Sequence, residues 1–208
     1  MRIIGLTGGS GSGKGAVSEI LRELNIPSID TDLVYRELTA SESPCLSALK
    51  AAFGEDIISD DGSLNRRKLS MIVFSGQDAD AQRATLNSIA HRFILAETES
   101  RLRELESVGY ELAFVDAPVL FESGFDKRCD AIVAVIANKD ARINRIVSRD
   151  GLTVEMAEKR IATQLSDDEL TRLCDYVIVN DADFDTLKSN VIDIVGKIKM
   201  NYNLKGDK

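Results

Sequence analysis

The chain has 208 residues, which suits one domain with an inserted lobe and is long enough to bury a sizeable core. Apolar residues make up 44% and charged residues 29%, close to the averages of globular proteins, so a disordered or fibrous polymer is excluded. With 26 Lys and Arg against 34 Asp and Glu, the net charge of −8 repels polynucleotide backbones yet allows a small anion to bind locally.

In chain order, short β-branched or apolar runs alternate with longer segments of helical period, the pattern of a parallel sheet wrapped by helices. Strands are predicted at 3–7, 28–30, 112–116, 131–136 and 176–180. After the first strand, Val17, Ile20, Leu21 and Leu24 form one face of a helix that must end before Pro27. From Asp32 to Gly109 no convincing strand occurs, and stretches such as Leu86, Ile89, Ala90 and Phe93 read as a helical insertion between the second and third strands. Leu187, Val191, Ile194, Val195 and Ile198 predict a closing helix, followed from Lys197 by a weakly basic tail expected to fray.

Cys45, Cys129 and Cys174 lack any C-x-x-C spacing, so three reduced core thiols are expected rather than a disulfide framework or a zinc site. The apolar run before Gly8 is too short for a signal peptide or a membrane span, which predicts a cytoplasmic protein with no membrane partner. The lone His91 can build neither a triad nor a metal cluster by itself.

Gly8-Gly9-Ser10-Gly11-Ser12-Gly13-Lys14 follows the first strand and opens the first helix, the context of a phosphate-binding loop. Glycines let the backbone turn its N–H donors inward, the helix N-terminus adds partial positive charge, and Lys14 reaches the outer phosphates. A dinucleotide fingerprint can also be written over Gly11 to Ala16, with Asp30 and Asp32 downstream. It starts four residues too late after Leu6, and the longer loop favours wrapping a phosphate. The phosphate-loop pattern normally continues with a Ser or Thr that ligates Mg²⁺, yet positions 15 and 16 are Gly15 and Ala16, so metal ligation must come from elsewhere.

A GTP-dependent switch needs N-K-x-D, but Asn138-Lys139-Asp140-Ala141 has its aspartate one place early. Its D-x-x-G is missing too, because Asp116-Ala117-Pro118-Val119 carries Val for Gly. A small-molecule kinase needs an acceptor-activating group, a substrate lobe and cations that close over the phosphoryl group. Asp32 just past the second strand, the helical insertion, and Arg142, Arg145 and Arg149 on one helix face supply these, although a solvated arginine face is the plainer reading of the last. Asp116, ending an apolar strand, reads as a carboxylate near the metal or as a buried turn aspartate.

From Leu6 to Asn180 these residues resemble the dephospho-CoA kinase family. Leu6-Thr7-Gly8-Gly9 with Gly11 to Lys14 is similar to its phosphate loop, and Ile29-Asp30-Thr31-Asp32 with Arg36 to its D-x-D motif. Leu64-Asn65-Arg66 with Leu69 and Val73-Phe74 resembles its L-[DN]-R segment, and Asp116 to Glu122 its D-x-P-L-L-x-E motif. Arg145, Arg149-Asp150, Gln164 and Asp175 to Asn180 match later signatures. His91 falls at a His-Pro pair with Arg92 replacing the proline, and Arg142 stands where the family often has Gln.

The resemblance implies a single P-loop kinase domain over 1–208, of class α/β, with a five-stranded parallel sheet flanked by helices. A substrate lobe would be inserted at about 33–110 and a small helical lid would lie at about 140–165. It further implies transfer of the ATP γ-phosphoryl group to the 3′-hydroxyl of dephospho-CoA, the last step of coenzyme A synthesis. Asp32 would be the general base. Lys14 and the loop at Gly8, Gly11, Ser12, Gly13, Gly15 and Ala16 would hold ATP, Arg145 and Arg149 would cap the phosphates, and Asn180 would lie near the adenine. Thr7, Arg66, His91 and Glu122 would contact the acceptor, and Asp32 and Asp116 would steady Mg²⁺ held by phosphates and water. Adenylate-kinase-like enzymes also carry Gly after the loop Lys, so a nucleoside monophosphate kinase is the alternative activity. Oligomeric state is left open.

Overall fold

A computed structural model describes residues 1–75 and 78–204. These form two compact units, one of Met1–Ile29 with Leu105–Lys208 and one of Asp30–Glu104.

The first unit is built on strands β1 (Arg2–Thr7), β2 (Ser28–Asp30, its last residue counted with the second unit), β3 (Leu112–Asp116), β4 (Ala131–Ile136) and β5 (Tyr176–Val179). Their order is β2-β3-β1-β4-β5, and β1 runs parallel to both β3 and β4, with Leu6 opposite Asp116 and Val133. All five residues of β3 and the first five of β4 are buried, as expected of a parallel sheet covered on both faces. The predicted strands are therefore present within a residue of their expected ends.

Helix α1 (Lys14–Glu23) buries Val17, Ile20 and Leu21. It stops before Pro27 because Asn25 turns left-handed at φ 56° while the Ile26 amide bonds Leu21 O at 2.9 Å. Those three side chains meet Ile4 and Leu6 of β1, Phe114 of β3, Val133 and Val135 of β4, and the apolar stripe of the C-terminal helix, Phe184–Asn201. That last helix corrects the expectation of a fraying tail from Lys197. It continues to Asn201, Tyr202 and Leu204 pack on the core, and the Tyr202 hydroxyl donates to Asp130 O at 2.6 Å. A tyrosine and a leucine, four and six residues beyond Ile198, had apolar surface left to cover, which outweighs the positive charges around them.

The second unit contains α2 (Thr31–Leu38), α3 (Pro44–Phe53), α4 (Arg66–Phe74) and α5 (Ala79–Ser107), the last turn of which lies beyond the unit. Ser43 and Asn65 cap α3 and α4 through their side-chain oxygens, and Pro44 occupies the first turn of α3, where its missing N–H costs nothing. Cys45, Leu46, Leu49, Ile57, Leu64, Leu69 and Val73 make its core, against which Leu86, Ile89 and Phe93 of α5 pack. Ile58 and Leu64 form an isolated antiparallel bridge, and beyond the last residue of β2 no strand occurs among this unit's described residues.

Beyond β4 come α6 (Lys139–Asp150), α7 (Val154–Ala162), α8 (Asp167–Leu173) and, after β5, α9, the helix Phe184–Asn201. Asn138 caps α6 by accepting from the Asp140 amide at 2.9 Å, so the Asn138-Lys139-Asp140 run that resembles a guanine-reading motif is a helix start. Among the described residues no helix is long and apolar enough to cross a membrane.

Candidate active site

The loop from Gly8 to Gly13 joins the central strand β1 to α1. Gly13 is the N-cap of α1 at φ +100° and offers no side-chain acceptor, so the helix N-terminus directs its partial charge at the loop. A Cβ at Gly13 would stand 2.0 Å from the Asn180 amide nitrogen, so two requirements fall on one glycine. Lys14 folds back over the loop and its Nζ donates to Gly8 O at 2.8 Å. Ser12 is 1% exposed and its hydroxyl oxygen has no hydrogen-bond partner among the described residues. A cradle of closely approached glycines, a lysine and an orphaned hydroxyl fits a chain of phosphates.

The loop is also braced from behind. Arg145 of α6 donates to Gly11 O at 3.0 Å, Ser12 O at 3.3 Å and Asn180 O at 3.1 Å. The buried Asn180 side chain donates to Ser12 O at 2.8 Å, and its own amide is tied to Ile136 O at 2.9 Å. Arg142 is only 4% exposed and bonds Ser10 O, Gln164 and Asp167. The plainer reading of a solvated arginine row therefore fails for Arg142 and Arg145, which turn toward the loop. Arg149, at the exposed end of the row, forks onto Asp150 at 2.8 and 2.9 Å. That bond, more than Arg160 at 2.7 Å, holds the Asp150 carboxyl below the usual carboxylate range. Asp167 shifts the other way, because burial raises it more than the Arg142 cation lowers it.

Asp116 ends β3 beside β1 and is 9% exposed. The Ser18 hydroxyl, one helical turn past Lys14, donates to its Oδ2 at 3.4 Å. Gly15 is open, with no atom within 4 Å of a built Cβ. Among the described residues no cluster of three His, Cys, Asp or Glu could cage a metal. The oxygen set present, one carboxylate with a hydroxyl at hand, fits Mg²⁺, which commonly keeps several waters and takes the rest of its shell from substrate phosphates. Thr7 is buried at the end of β1, and Glu122 is exposed in the turns after β3.

The remaining candidates belong to the second unit. Of the two carboxylates in Asp30-Thr31-Asp32, Asp30 caps α2, its Oδ1 accepting from the Asp32 and Leu33 amides at 2.8 and 3.1 Å. Asp32 stands exposed in the first turn of that helix. The Arg66 guanidinium donates to the Thr39 hydroxyl at 2.9 Å, and His91 is half-buried within α5. Tyr35 nearby is pushed up to about 12, chiefly by burial. Sequence reasoning did not foresee the loop-bracing bonds of Arg142, Arg145 and Asn180, or the use of Asp30 as a cap. The one available signal was glycine at 9 and 11, positions where a guanidinium or its backbone needs the room.

A parallel sheet whose central strand runs through a lysine-ended glycine loop into a helix, with a carboxylate closing the neighbouring strand, is the architecture of P-loop phosphotransferases. Comparison with known proteins narrows this: a family model described as dephospho-CoA kinase matches residues 2–186. A dephospho-CoA kinase of Corynebacterium efficiens is 37% identical over 195 residues, which are 94% of this chain and 96% of the relative. The crystal structure of TT1252 from Thermus thermophilus superposes with a TM-score of 0.77 at 27% identity, covering 95% of this chain and 97% of that one. A dephospho-CoA kinase from Campylobacter jejuni shares the fold with a TM-score of 0.71 at 22% identity over 97% of this chain and the whole of that one. The chain belongs to the dephospho-CoA kinase family.

Proposed function

We propose that this protein transfers the γ-phosphoryl group of ATP to the 3′-hydroxyl of dephospho-CoA, giving coenzyme A and ADP. The observation that carries the reading is one family match spanning both units, residues 2–186, from the phosphate loop through the helical insertion.

Lys14 and the amides at Gly8, Gly11, Ser12, Gly13, Gly15 and Ala16 hold the ATP phosphates, and Arg145 and Arg149 add positive charge as the phosphoryl group moves. Asn180 fixes the loop wall and lies toward the adenine. Asp32 accepts the proton of the attacking hydroxyl; it stands exposed in the first turn of α2, the helix that Asp30 of the same motif caps. Thr7, Arg66, His91 and Glu122 are assigned to the acceptor by their motifs. Mg²⁺, when bound, neutralises charge on the phosphate oxygens. By their motifs Asp116 and Asp32 would be its carboxylates, and Ser18 keeps the Asp116 carboxylate oriented from the next turn of α1. The segment 140–165 serves as the lid and the segment 33–110 as the acceptor lobe. A cytoplasmic place of action belongs to the same reading, supported by three free thiols.

The deciding experiment offers ATP and Mg²⁺ with dephospho-CoA, AMP, CMP, UMP or GMP and measures phosphate transfer to each. Dephospho-CoA is expected to be used far better than any nucleotide. Comparable transfer to a nucleoside monophosphate would replace this reading with that of a nucleoside monophosphate kinase.

A further inference from the structure

Arg142 has no place in the reaction proposed above, yet it is the most buried charged side chain described in the first unit, 4% exposed on the first turn of α6. A guanidinium is withdrawn from water only when its donors are satisfied and its charge is balanced. Three acceptors, one of them a counter-charge, meet it at the tip of the phosphate loop. Nε donates to Ser10 O at 3.0 Å, Nη2 to Gln164 Oε1 at 3.3 Å, and Nη1 to Asp167 Oδ1 at 3.2 Å.

Gln164 closes the circle. Its Oε1 accepts from the Ser10 amide at 2.8 Å, and its Nε2 lies 3.3 Å from the Ser10 hydroxyl. Both backbone polar groups of Ser10 are thus held from outside the loop, the carbonyl by Arg142 and the amide by Gln164, and the guanidinium joins the two holders. The loop has made room for this. A Cβ at Gly9 would stand 2.0 Å from Nη2, and one at Gly11 would stand 2.5 Å from Arg142 O. Gly9 thus leaves room for the guanidinium as it stands, and Gly11 for the α6 backbone at position 142.

We infer that Arg142 is a positioning residue for the phosphate loop: with Gln164 and the counter-charge of Asp167 it holds the Ser10 peptide, so that the loop is shaped before nucleotide arrives. The inference rests on reading that loop as the ATP phosphate site. A loop held in advance loses less conformational entropy on binding, so the benefit falls on ATP affinity. Glutamine, frequent at this position in the family it resembles, could supply one amide and no charge. It could not serve Ser10 O, Gln164 and Asp167 together.

The test measures ATP affinity by calorimetry without acceptor, together with KM for ATP, KM for dephospho-CoA, kcat and Tm, for Arg142→Gln, Arg142→Lys and Asp167→Asn. Both Arg142 variants are expected to weaken ATP binding and raise KM for ATP about tenfold, with kcat at saturating ATP and KM for dephospho-CoA within about threefold of the parent. Asp167→Asn, which keeps the guanidinium but removes its counter-charge, should weaken ATP binding by about threefold to fivefold. A folded Arg142→Gln protein that binds ATP like the parent overturns the inference. Should that variant fail to fold, Asp167→Asn decides by the same ATP measurement, and unchanged affinity there overturns it too. A parent protein that binds ATP but does not phosphorylate dephospho-CoA would refute the proposed reaction and leave this inference standing, because calorimetry reads ATP binding in the absence of any acceptor.

Discussion

Replacing Arg145 with alanine separates a cation that only meets the phosphates from one that also builds the loop. Its guanidinium donates to three carbonyls, Gly11 O at 3.0 Å, Ser12 O at 3.3 Å and Asn180 O at 3.1 Å. Hydrogen bonds from a charged donor contribute about 1.5–3 kcal/mol each in mutational series. Arg145 is half-buried, so water would reach part of the vacated space, and the summed loss is discounted to about 2–4 kcal/mol. For a chain of this length that lowers Tm by about 5–15 °C. Loss of one preorganised charge should add about 3–4 kcal/mol to the barrier read by kcat/KM. Thermal unfolding and steady-state kinetics on Arg145→Ala measure both, with Arg22→Ala as control, since Arg22 lies on the exposed side of α1 and, among the described residues, pairs with Glu19 at 3.2 Å. Arg145→Lys should recover part of the rate and little of the stability, because an ammonium cannot fork among three carbonyls. Depressed kcat/KM with Tm within about 1 °C of the parent would refute the bracing role, as the hydrogen-bond arithmetic allows no such result.

Three further outcomes are expected. Asp32→Asn should lower kcat by about 10²- to 10⁴-fold while ATP binding, measured by calorimetry, stays near the parent value; unchanged kcat would remove Asp32 as the base. Gly15→Ser places a hydroxyl in open space on the first turn of α1, so it should reduce the Mg²⁺ concentration for half-maximal activity and add about 0.5 kcal/mol of stability. An unshifted Mg²⁺ titration would mean that water already fills that position equally well. Burial is the main force pushing Cys129 up to about 12 and Cys174 up to about 11, and it raises Cys45 as well. The folded thiols therefore keep their protons where the unfolded ones lose them. Their contribution to stability is intact below the ordinary thiol range near 8.5 and is lost as pH climbs toward 11 and 12. At pH 8 a disulfide reagent should modify the native protein slowly and the urea-unfolded protein at three sites at once; rapid modification of all three thiols in the native state would contradict this.

The five strands, the loop after β1, the lack of a strand among the described residues between Asp32 and Gly109 and the apolar faces of α1, α5 and α9 were legible in the sequence, because each follows from residue types a few positions apart. Alternating or continuous apolar runs set strands, the 3.6-residue period sets helix faces, and Gly, Pro and Asn set the stops. The phosphate loop was legible for the same reason, being seven consecutive residues. What those patterns left open was the partner of each polar atom. Asp30 and Asp32 are equivalent as letters, but Asp30 falls at the N-cap of α2 and is consumed there. Arg142, Arg145 and Arg149 share a helical face, yet 132 residues separate Arg142 from the Ser10 carbonyl it holds, while Arg149 bonds its own neighbour. Ser18 meets Asp116 across 98 residues, and Tyr202 fastens the presumed loose tail to Asp130 across 72. A hydrogen bond depends on separations of tenths of an ångström. Those separations are set only when the sheet is paired, the helices are packed on it, and the polar groups carried into the interior take the partners that remain.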